Sequence, residues 1–162
     1  MIRIGHGMDV HRLVESLDLV LCGIKIPHER GLLGHSDADV ATHALMDAML
    51  GAAALGDIGK HFPDSDERYR GVRSVDLLKV VGKKLEMEGY ILRNADITIV
   101  AEAPVLGPYI EDMRQCLAKA LSVPVALISI KATTTEHLGF EGQEQGISAH
   151  AVCLIRSFAE KD

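Results

Sequence analysis

At 162 residues the chain is long enough for one compact domain, which we expect to span residues 1–162. Hydrophobic residues make up 48% of the sequence, but Phe and Tyr contribute only three each and Trp is absent, so the core must be aliphatic. A formal net charge of −6 without a run of like charges argues against a nucleic acid partner.

The first third of the chain predicts a β-hairpin followed by a helix. Residues 2–4 alternate in polarity, residues 8–13 continue in an extended style, and residues 20–26 form a second predicted strand. The polar residues 15–18 would be the hairpin turn. Ser36 is the predicted N-cap of a helix over residues 37–55, because apolar residues recur there at helical spacing, and Gly56 would end it.

The next segment, residues 56–70, is rich in Asp, Gly and Pro and predicts a long loop. A loop of that length inside a compact domain is usually functional or mobile. The remaining predicted elements are a helix capped by Ser74 that ends near residue 88, a strand over 91–101, a helix over 108–122, a strand over 125–132, a polar loop over 133–145 and a strand over 147–157.

This element order, β-β-α-α-β-α-β-β, predicts an α+β fold. We expect a single mixed β-sheet with helices packed on one face, as in ferredoxin-like or chorismate-mutase-like proteins. The other face of such a sheet needs a cover, and oligomerisation is the simplest way to provide one.

Asp9, Val10 and His11 carry the first chemical signal. In an extended segment, residues i and i+2 point to the same face, so Asp9 and His11 project together. His43, on the first predicted helix, could supply a third ligand. Two imidazoles and one carboxylate leave a fourth tetrahedral position open, which is typical of catalytic zinc. The alternative is that His11 is a surface residue and His43 an ordinary core histidine.

The helix around His43 offers partners for its imidazole. Asp39 and Asp47 lie four residues before and after it on one helical face, and either carboxylate could orient the ring. His35 and Ser36 stand at the predicted helix start. A helix N-terminus beside a zinc ion is a good diphosphate site, although Ser36 could be only a cap and His35 only a loop residue.

Two further segments are rich in hydroxyl and carboxylate groups. Thr133, Thr134, Thr135 and Glu136 follow a predicted buried strand, and Glu136 with substrate phosphates would suit magnesium, unless the threonines simply close a turn. The carboxylates of residues 57–66 could bind a polyol or serve as turn residues.

Three stretches of sequence resemble one enzyme family. GHGMDVHRL, GLLGHSDADVATHALMDAMLGAAALGDIGKHFPDSD and IKATTTEHLGF are similar to the 2-C-methyl-D-erythritol 2,4-cyclodiphosphate synthases, in the same order and at the same intervals over essentially the whole chain. The resemblance implies a homotrimer with each active site between two chains. It also implies a substrate, 4-diphosphocytidyl-2-C-methyl-D-erythritol 2-phosphate, which cyclises with release of CMP in the non-mevalonate isoprenoid pathway.

The same resemblance implies specific roles for residues. Zinc would be held by Asp9, His11 and His43, and magnesium or manganese by Glu136. His35 and Thr134 would stabilise the transition state. The implied substrate contacts are Asp9, His11, His35, Ser36, Asp57, Ile58, Gly59, Phe62, Pro63, Asp64, Ser65, Asp66, Ala101, Val105, Leu106, Gly107, Ala132, Thr133, Thr134, Thr135, Glu136 and Phe140. The cytidine pocket, residues 101–107 and 132–134, would come largely from the neighbouring subunit.

The sequence departs from familiar members of this family at three positions. Val105 replaces a frequent lysine, and Gln143 and His150 stand where many members have an arginine and a glutamate that line a cavity on the trimer axis. Losing the arginine removes a bidentate phosphate anchor, so we expect weak or no binding of an isoprenoid diphosphate there. The rival functions are a zinc phosphoesterase that uses water and a metal-binding scaffold without activity.

The termini and cysteines bear on the compartment. The opening Met-Ile-Arg-Ile-Gly leaves no room for a signal or transit peptide, and the apolar residues 44–55 are too few to cross a bilayer. Cys22, Cys116 and Cys153 have no CxxC spacing and suit reduced thiols. We therefore expect a soluble cytoplasmic enzyme that makes no membrane contact.

Overall fold

Seven strands and five α-helices make up the part of the chain that the computed structural model describes, residues 1–158. The strands are β1 (Ile2–Glu15), β2 (Leu19–Leu21), β3 (Ile24–Ile26), β4 (Arg30–Leu32), β5 (Tyr90–Val100), β6 (Ile128–Thr133) and β7 (Gly146–Ser157). The helices are α1 (Val40–Ala52), α2 (Ile58–His61), α3 (Ser74–Met87), α4 (Ile110–Leu121) and α5 (Gly139–Gly142).

The main sheet has five strands in the order β4-β1-β7-β5-β6. Strands β5 and β6 run parallel, and the other neighbouring pairs run antiparallel. The predicted α+β fold with a mixed sheet is confirmed. Several predicted bounds change, because α2 and α5 lie within the two predicted loops and residues 125–127 form a 3₁₀ turn before β6 begins.

The predicted pairing of residues 8–13 with residues 20–26 is wrong. Residues 2–15 form one continuous strand, and residues 19–26 fold on themselves into the separate β2-β3 ribbon. The cause is local: Cys22 and Gly23 both have positive φ, 50° and 77°, which is the geometry of a tight hairpin turn. Strand β1 instead pairs with β4 and with β7.

The predicted N-caps of two helices are also wrong. Asp39, not Ser36, caps α1, and its carboxylate accepts hydrogen bonds from the backbone N–H and the hydroxyl of Thr42. Ser74 is the first residue of α3 rather than its cap, and Arg73 at the cap position makes no side-chain hydrogen bond to the helix. The hydroxyls of both serines are therefore available for other contacts.

Helix α1 lies directly on β1, and two glycines make the close approach possible. A Cβ on Gly7 would lie 2.0 Å from the carbonyl oxygen of Ala44, and a Cβ on Gly5 would lie 1.8 Å from that of Ala48. Both glycines face the same side of β1 as Asp9 and His11, because their positions differ by multiples of two. The packing at Gly7 thus brings His43, next to Ala44, over Asp9.

Replacing Gly7 by alanine is expected to destabilise the protein by about 3 kcal/mol or more, because the added methyl group would push α1 off the sheet. Gly51→Ala is the matched control: a Cβ on Gly51, in α1, would meet nothing within 4 Å, so alanine there should stabilise the helix by about 0.5–1 kcal/mol. Urea unfolding measures both. Equal stability of the Gly7 variant and the parent would contradict the packing.

On the opposite face of the sheet, several apolar side chains are not covered by any other part of residues 1–158. Ile4 is 70% exposed, Met8 50%, Val10 44% and Val152 43%. His6 and His150 stack on this face with ring centroids 5.8 Å apart. Among residues 1–158, no helix has both the length and the apolar character that crossing a membrane requires.

Candidate metal centre and substrate cavity

Asp9, His11 and His43 come together as the sequence predicts. The Asp9 Oδ2 atom lies 3.0 Å from His11 Nε2 and 3.0 Å from His43 Nδ1, and the two nitrogens are 3.3 Å apart. Ligands about 2.0–2.1 Å from a tetrahedral zinc ion are about 3.3 Å from one another. The three donor atoms therefore have the spacing of ligands on one face of a tetrahedron around a divalent metal ion.

Hydrogen bonds fix which nitrogen of each imidazole faces this triangle. His11 Nδ1 donates to the carbonyl oxygen of Leu33 at 2.8 Å, so its Nε2 keeps a lone pair. His43 Nε2 lies 2.8 Å from the Ser74 hydroxyl oxygen, on the side of the ring away from Asp9. Metal-binding histidines generally donate their other N–H in this way.

Asp9 and His11 shift each other's pKa in this triangle. Burial acts to raise the pKa of Asp9, but hydrogen bonds to His11 and His43 outweigh it and hold the pKa of this carboxyl well below its usual range. Burial acts to lower the pKa of His11, but the hydrogen bond and charge of the Asp9 carboxylate outweigh it and raise the pKa of that imidazole. An anionic Asp9 beside two nitrogen donors is a ready site for a divalent cation.

The prediction that Asp39 or Asp47 orients His43 is wrong. The Asp39 carboxylate is fully buried and accepts the backbone N–H groups of Cys22 and Gly23 as well as those of its cap. The Asp47 carboxylate accepts the backbone N–H of Ile58 at 2.8 Å and so anchors the start of α2. Ser74 takes the predicted role, from a helix that begins 31 residues after His43.

A cavity of about 230 Å³ opens at the triangle. Its lining includes these predicted site residues: Asp9, His11, His35, Ser36, His43, Ile58, Gly59, Phe62 and Asp64. Asp57, Pro63, Ser65 and Asp66 do not line it. Asp57 instead caps α2, and Asp66 pairs with Arg68 at 2.6 Å. The polar 57–66 segment thus contributes both a cavity wall and ordinary turn contacts.

His35 is held by this segment. Its Nε2 donates to the carbonyl oxygen of Asp66 at 3.3 Å, and its own carbonyl oxygen accepts the backbone N–H of Gly71. Ser36 places its hydroxyl 3.2 Å from His43 Nε2. Both residues therefore lie beside the triangle, on the loop between β4 and α1.

Glu136 and Thr134 stand apart from this cavity. They lie in an exposed turn after β6, where Glu136 and His137 have positive φ of 55° and 63°. The Thr134 hydroxyl donates to the Glu136 carboxylate at 3.2 Å. Among the described residues, none of the segments 101–107 and 132–136 lines the cavity.

The 101–107 segment packs against this turn within the chain. The Ala101 N–H donates to the carbonyl oxygen of Thr133 at 3.0 Å. The Glu102 carboxylate lies 2.9 Å from His137 Nδ1 and accepts the His137 backbone N–H, which holds the left-handed turn in place. Val105 is 79% exposed whereas Leu106 is buried. Ala132 and Gly107 are exposed, and Thr135 is partly buried.

A larger cavity of about 750 Å³ lies where the second half of β1 meets the start of β7. Phe140 and Gln143 line it, and the Arg30 guanidinium pairs with Glu144 in its wall. His150 does not line it and sits on the open sheet face instead. The expected weak binding of isoprenoid diphosphates stays a prediction.

The sequence did not predict the contacts of Ser74 with His43, of Asp37 with Ser74, or of Glu102 with His137, although Glu102 falls in the predicted 101–107 segment. Each acts through a contact between segments far apart in the chain, from 31 residues for Ser74 and His43 to 37 for Asp37 and Ser74. A serine at a helix start is typical of a cap, so the sequence around Ser74 does not indicate that its hydroxyl contacts His43.

Comparisons with known proteins place the chain in a family. The YgbB family matches residues 2–156. The 2-C-methyl-D-erythritol 2,4-cyclodiphosphate synthase of Desulfitobacterium hafniense is 61% identical over 157 residues, which are 96% of this chain and 99% of the relative.

Solved structures agree. A bifunctional IspDF from Campylobacter jejuni has a TM-score of 0.94 and 40% identity over 98% of this chain, which spans 43% of that longer protein. The CDP complex of IspF from Plasmodium falciparum has a TM-score of 0.84 and 30% identity over 96% of both chains. With the fold, the three-donor centre and these relatives in agreement, the chain belongs to the YgbB family, the 2-C-methyl-D-erythritol 2,4-cyclodiphosphate synthases.

Proposed function

We propose that this chain converts 4-diphosphocytidyl-2-C-methyl-D-erythritol 2-phosphate to 2-C-methyl-D-erythritol 2,4-cyclodiphosphate and CMP, using zinc at Asp9, His11 and His43. The observation that carries the proposal is the 3.0–3.3 Å triangle of donor atoms at the mouth of a small cavity, in a chain of this family. Two nitrogens and one oxygen suit zinc better than magnesium or calcium.

In this reaction an oxygen of the 2-phosphate forms a bond to the β-phosphorus. The bond from the β-phosphorus to the bridging oxygen breaks, and its electron pair leaves with CMP. Nucleophile and electrophile belong to one molecule, so the protein supplies position and charge rather than a nucleophile of its own. A cavity with fixed walls is what such a cyclisation needs.

The residues of the cavity serve that positioning. Asp47 anchors Ile58 and with it the start of α2, so Ile58 and Gly59 form a fixed wall. The proposed role of His35 in the cavity, and of Thr134 in the turn after β6, is to donate hydrogen bonds to phosphate oxygens as charge develops on them. When bound, zinc would polarise a phosphate oxygen as a Lewis acid, and a second cation would neutralise charge on the diphosphate.

We assign the second cation, magnesium or manganese, to Glu136. Its carboxylate is an exposed, hard oxygen donor in a turn held by Thr134 and Glu102. Magnesium typically binds one or two carboxylates and completes its shell with phosphates and water. Two cations also explain how a protein of net charge −6 would bind a polyanion.

We further propose that the active site is shared between subunits of a homotrimer. Glu136, Thr134 and the 101–107 segment lie outside the zinc cavity of their own chain, so a neighbouring copy would bring them to it. The open apolar face around Ile4 and Met8 offers the surface for that contact. The IspF of Plasmodium falciparum forms a complex with CDP, which supports a cytidine pocket in the present chain.

Metal add-back tests the proposal. Protein treated with a chelator is expected to release no CMP, zinc alone should restore little, and zinc with magnesium should restore the full rate. Full activity of the chelated protein, confirmed free of metal by atomic absorption, would contradict the assignment of both sites.

A further inference from the structure

A chain of hydrogen bonds leads from Asp37 through Ser74 to His43. The Ser74 hydroxyl donates to Asp37 Oδ1, and its oxygen lies 2.8 Å from His43 Nε2. Ser74 is fully buried and His43 is 9% exposed, so water does not compete for these groups. A hydroxyl has a single proton, and Ser74 gives it to Asp37, so its oxygen must accept the N–H of His43.

The Asp37 carboxylate, at the start of this series of hydrogen bonds, is itself well anchored. Asp37 Oδ2 accepts the backbone N–H of Ser74 at 3.0 Å, and Oδ1 accepts that of Asp39 at 3.3 Å. The 14-residue helix α3 has no cap from its own Arg73, so Asp37 stabilises its N-terminus from another segment. The same carboxylate thereby ties α3 to the loop that precedes α1.

From this geometry we propose that Asp37 and Ser74 are positioning residues that hold His43 with its Nε2 protonated and its Nδ1 as the zinc ligand. The inference rests on the zinc site of the proposed function. When a histidine donates one N–H towards a carboxylate, its opposite nitrogen also becomes a stronger electron-pair donor to a metal, as in the carboxylate–histidine–zinc arrangement. Here the Ser74 hydroxyl lies between the carboxylate and the imidazole.

Ser36 is the competing acceptor for the same N–H. Its hydroxyl lies 3.2 Å from His43 Nε2, longer than the 2.8 Å of Ser74, and it also accepts the backbone N–H of Ala38 at 3.3 Å. Ser36 lies on a loop, whereas Ser74 is fixed in the first turn of α3. The shorter bond and the more rigid support both favour Ser74.

The test measures zinc affinity in the absence of substrate, by competition with a chromophoric chelator. Ser74→Ala and Asp37→Asn are each expected to weaken zinc binding by about 10- to 100-fold, the usual effect of removing a partner behind a metal ligand. Because the two residues act through one series of hydrogen bonds, the double variant should lose little more zinc affinity than either single variant.

Asp76→Asn is the matched control. Asp76 lies in the same first turn of α3, but its carboxylate pairs with Lys79 at 2.7 Å on the surface, away from His43. Its zinc affinity should equal that of the parent. Urea unfolding of the metal-free variants separates folding from binding, because a merely structural role would lower stability and leave the affinity unchanged.

The outcomes are distinguishable. Parent-like zinc affinity in both Ser74→Ala and Asp37→Asn would overturn the positioning role while leaving the zinc site intact. An equal loss of zinc affinity in Asp76→Asn would also overturn it, because removing a negative charge anywhere near the start of α3 would then weaken zinc binding. Failure of the parent to bind zinc would instead refute the proposed site, and the positioning role with it.

Discussion

Replacing His43 by alanine is expected to lower the rate of CMP release by on the order of 10³-fold, equivalent to about 4 kcal/mol. The reason is the geometry of the centre: His43 Nδ1 lies 3.0 Å from Asp9 and 3.3 Å from His11, and two donors alone would not hold zinc in a tetrahedral site. Zinc content and CMP release in the same preparation measure the effect.

The control for this prediction is the parent protein stripped of zinc. It should show the same residual rate as the His43 variant, and adding zinc should restore the parent but not the variant. The variant should keep the sedimentation mass of the parent. A His43 variant that is fully active, with one zinc per chain, would show that His43 is not a ligand.

Replacing Glu136 by glutamine is expected to lower the magnesium-stimulated rate by about 10²- to 10³-fold, the loss typical when one stabilising group for developing charge is removed. Glutamine keeps the shape and an oxygen that can accept the Thr134 hydroxyl, so the turn should persist. Zinc content should stay at one per chain. A titration of rate against magnesium concentration makes the measurement.

Glu141→Gln is the matched control for Glu136. Glu141 also follows β6, in α5, but its carboxylate accepts the Ser148 hydroxyl at 2.8 Å and takes no part in the proposed site. Its magnesium dependence should match the parent. An unchanged magnesium response in the Glu136 variant would move the second cation to other residues.

Sequence alone was enough to predict the donors of the metal centre. Asp9 and His11 point the same way because strands alternate with a period of two, and the burial pattern of β1 confirms that alternation over residues 2–13. Bringing His43 to them requires knowledge of how closely α1 packs on β1. Gly5 and Gly7 permit that approach, but a glycine in a strand does not by itself indicate which helix packs on it.

The errors share a physical cause, which is that one residue type serves several local structures. Cys22 and Gly23 form a tight turn within residues 20–26, which the sequence predicts as one strand. The residues on either side of the turn have the polarity expected of a strand, whether the segment is one strand or two. Ser36 and Ser74 look like caps, yet both turn their hydroxyls towards His43. Only the folded chain brings Ser74 near a histidine 31 residues away.

The part of the site around Glu136 illustrates a different limit. Its turn depends on Glu102, which contacts His137 from 35 positions earlier in the chain, and it lies outside the cavity at Asp9, His11 and His43 of its own chain. A contact that forms between copies of a chain leaves no periodic pattern in the sequence. The residue pattern left Glu136 open as a magnesium ligand or part of a simple turn, and the resemblance to a family favoured the ligand role.

The most direct test of the proposed cyclisation is to run the reaction in ¹⁸O-labelled water with zinc and magnesium present and to analyse the products by mass spectrometry. The intramolecular attack by the 2-phosphate predicts CMP and a cyclic diphosphate, neither of which contains solvent oxygen. A linear phosphate product carrying one ¹⁸O atom would instead show hydrolysis by water and would contradict the proposed function.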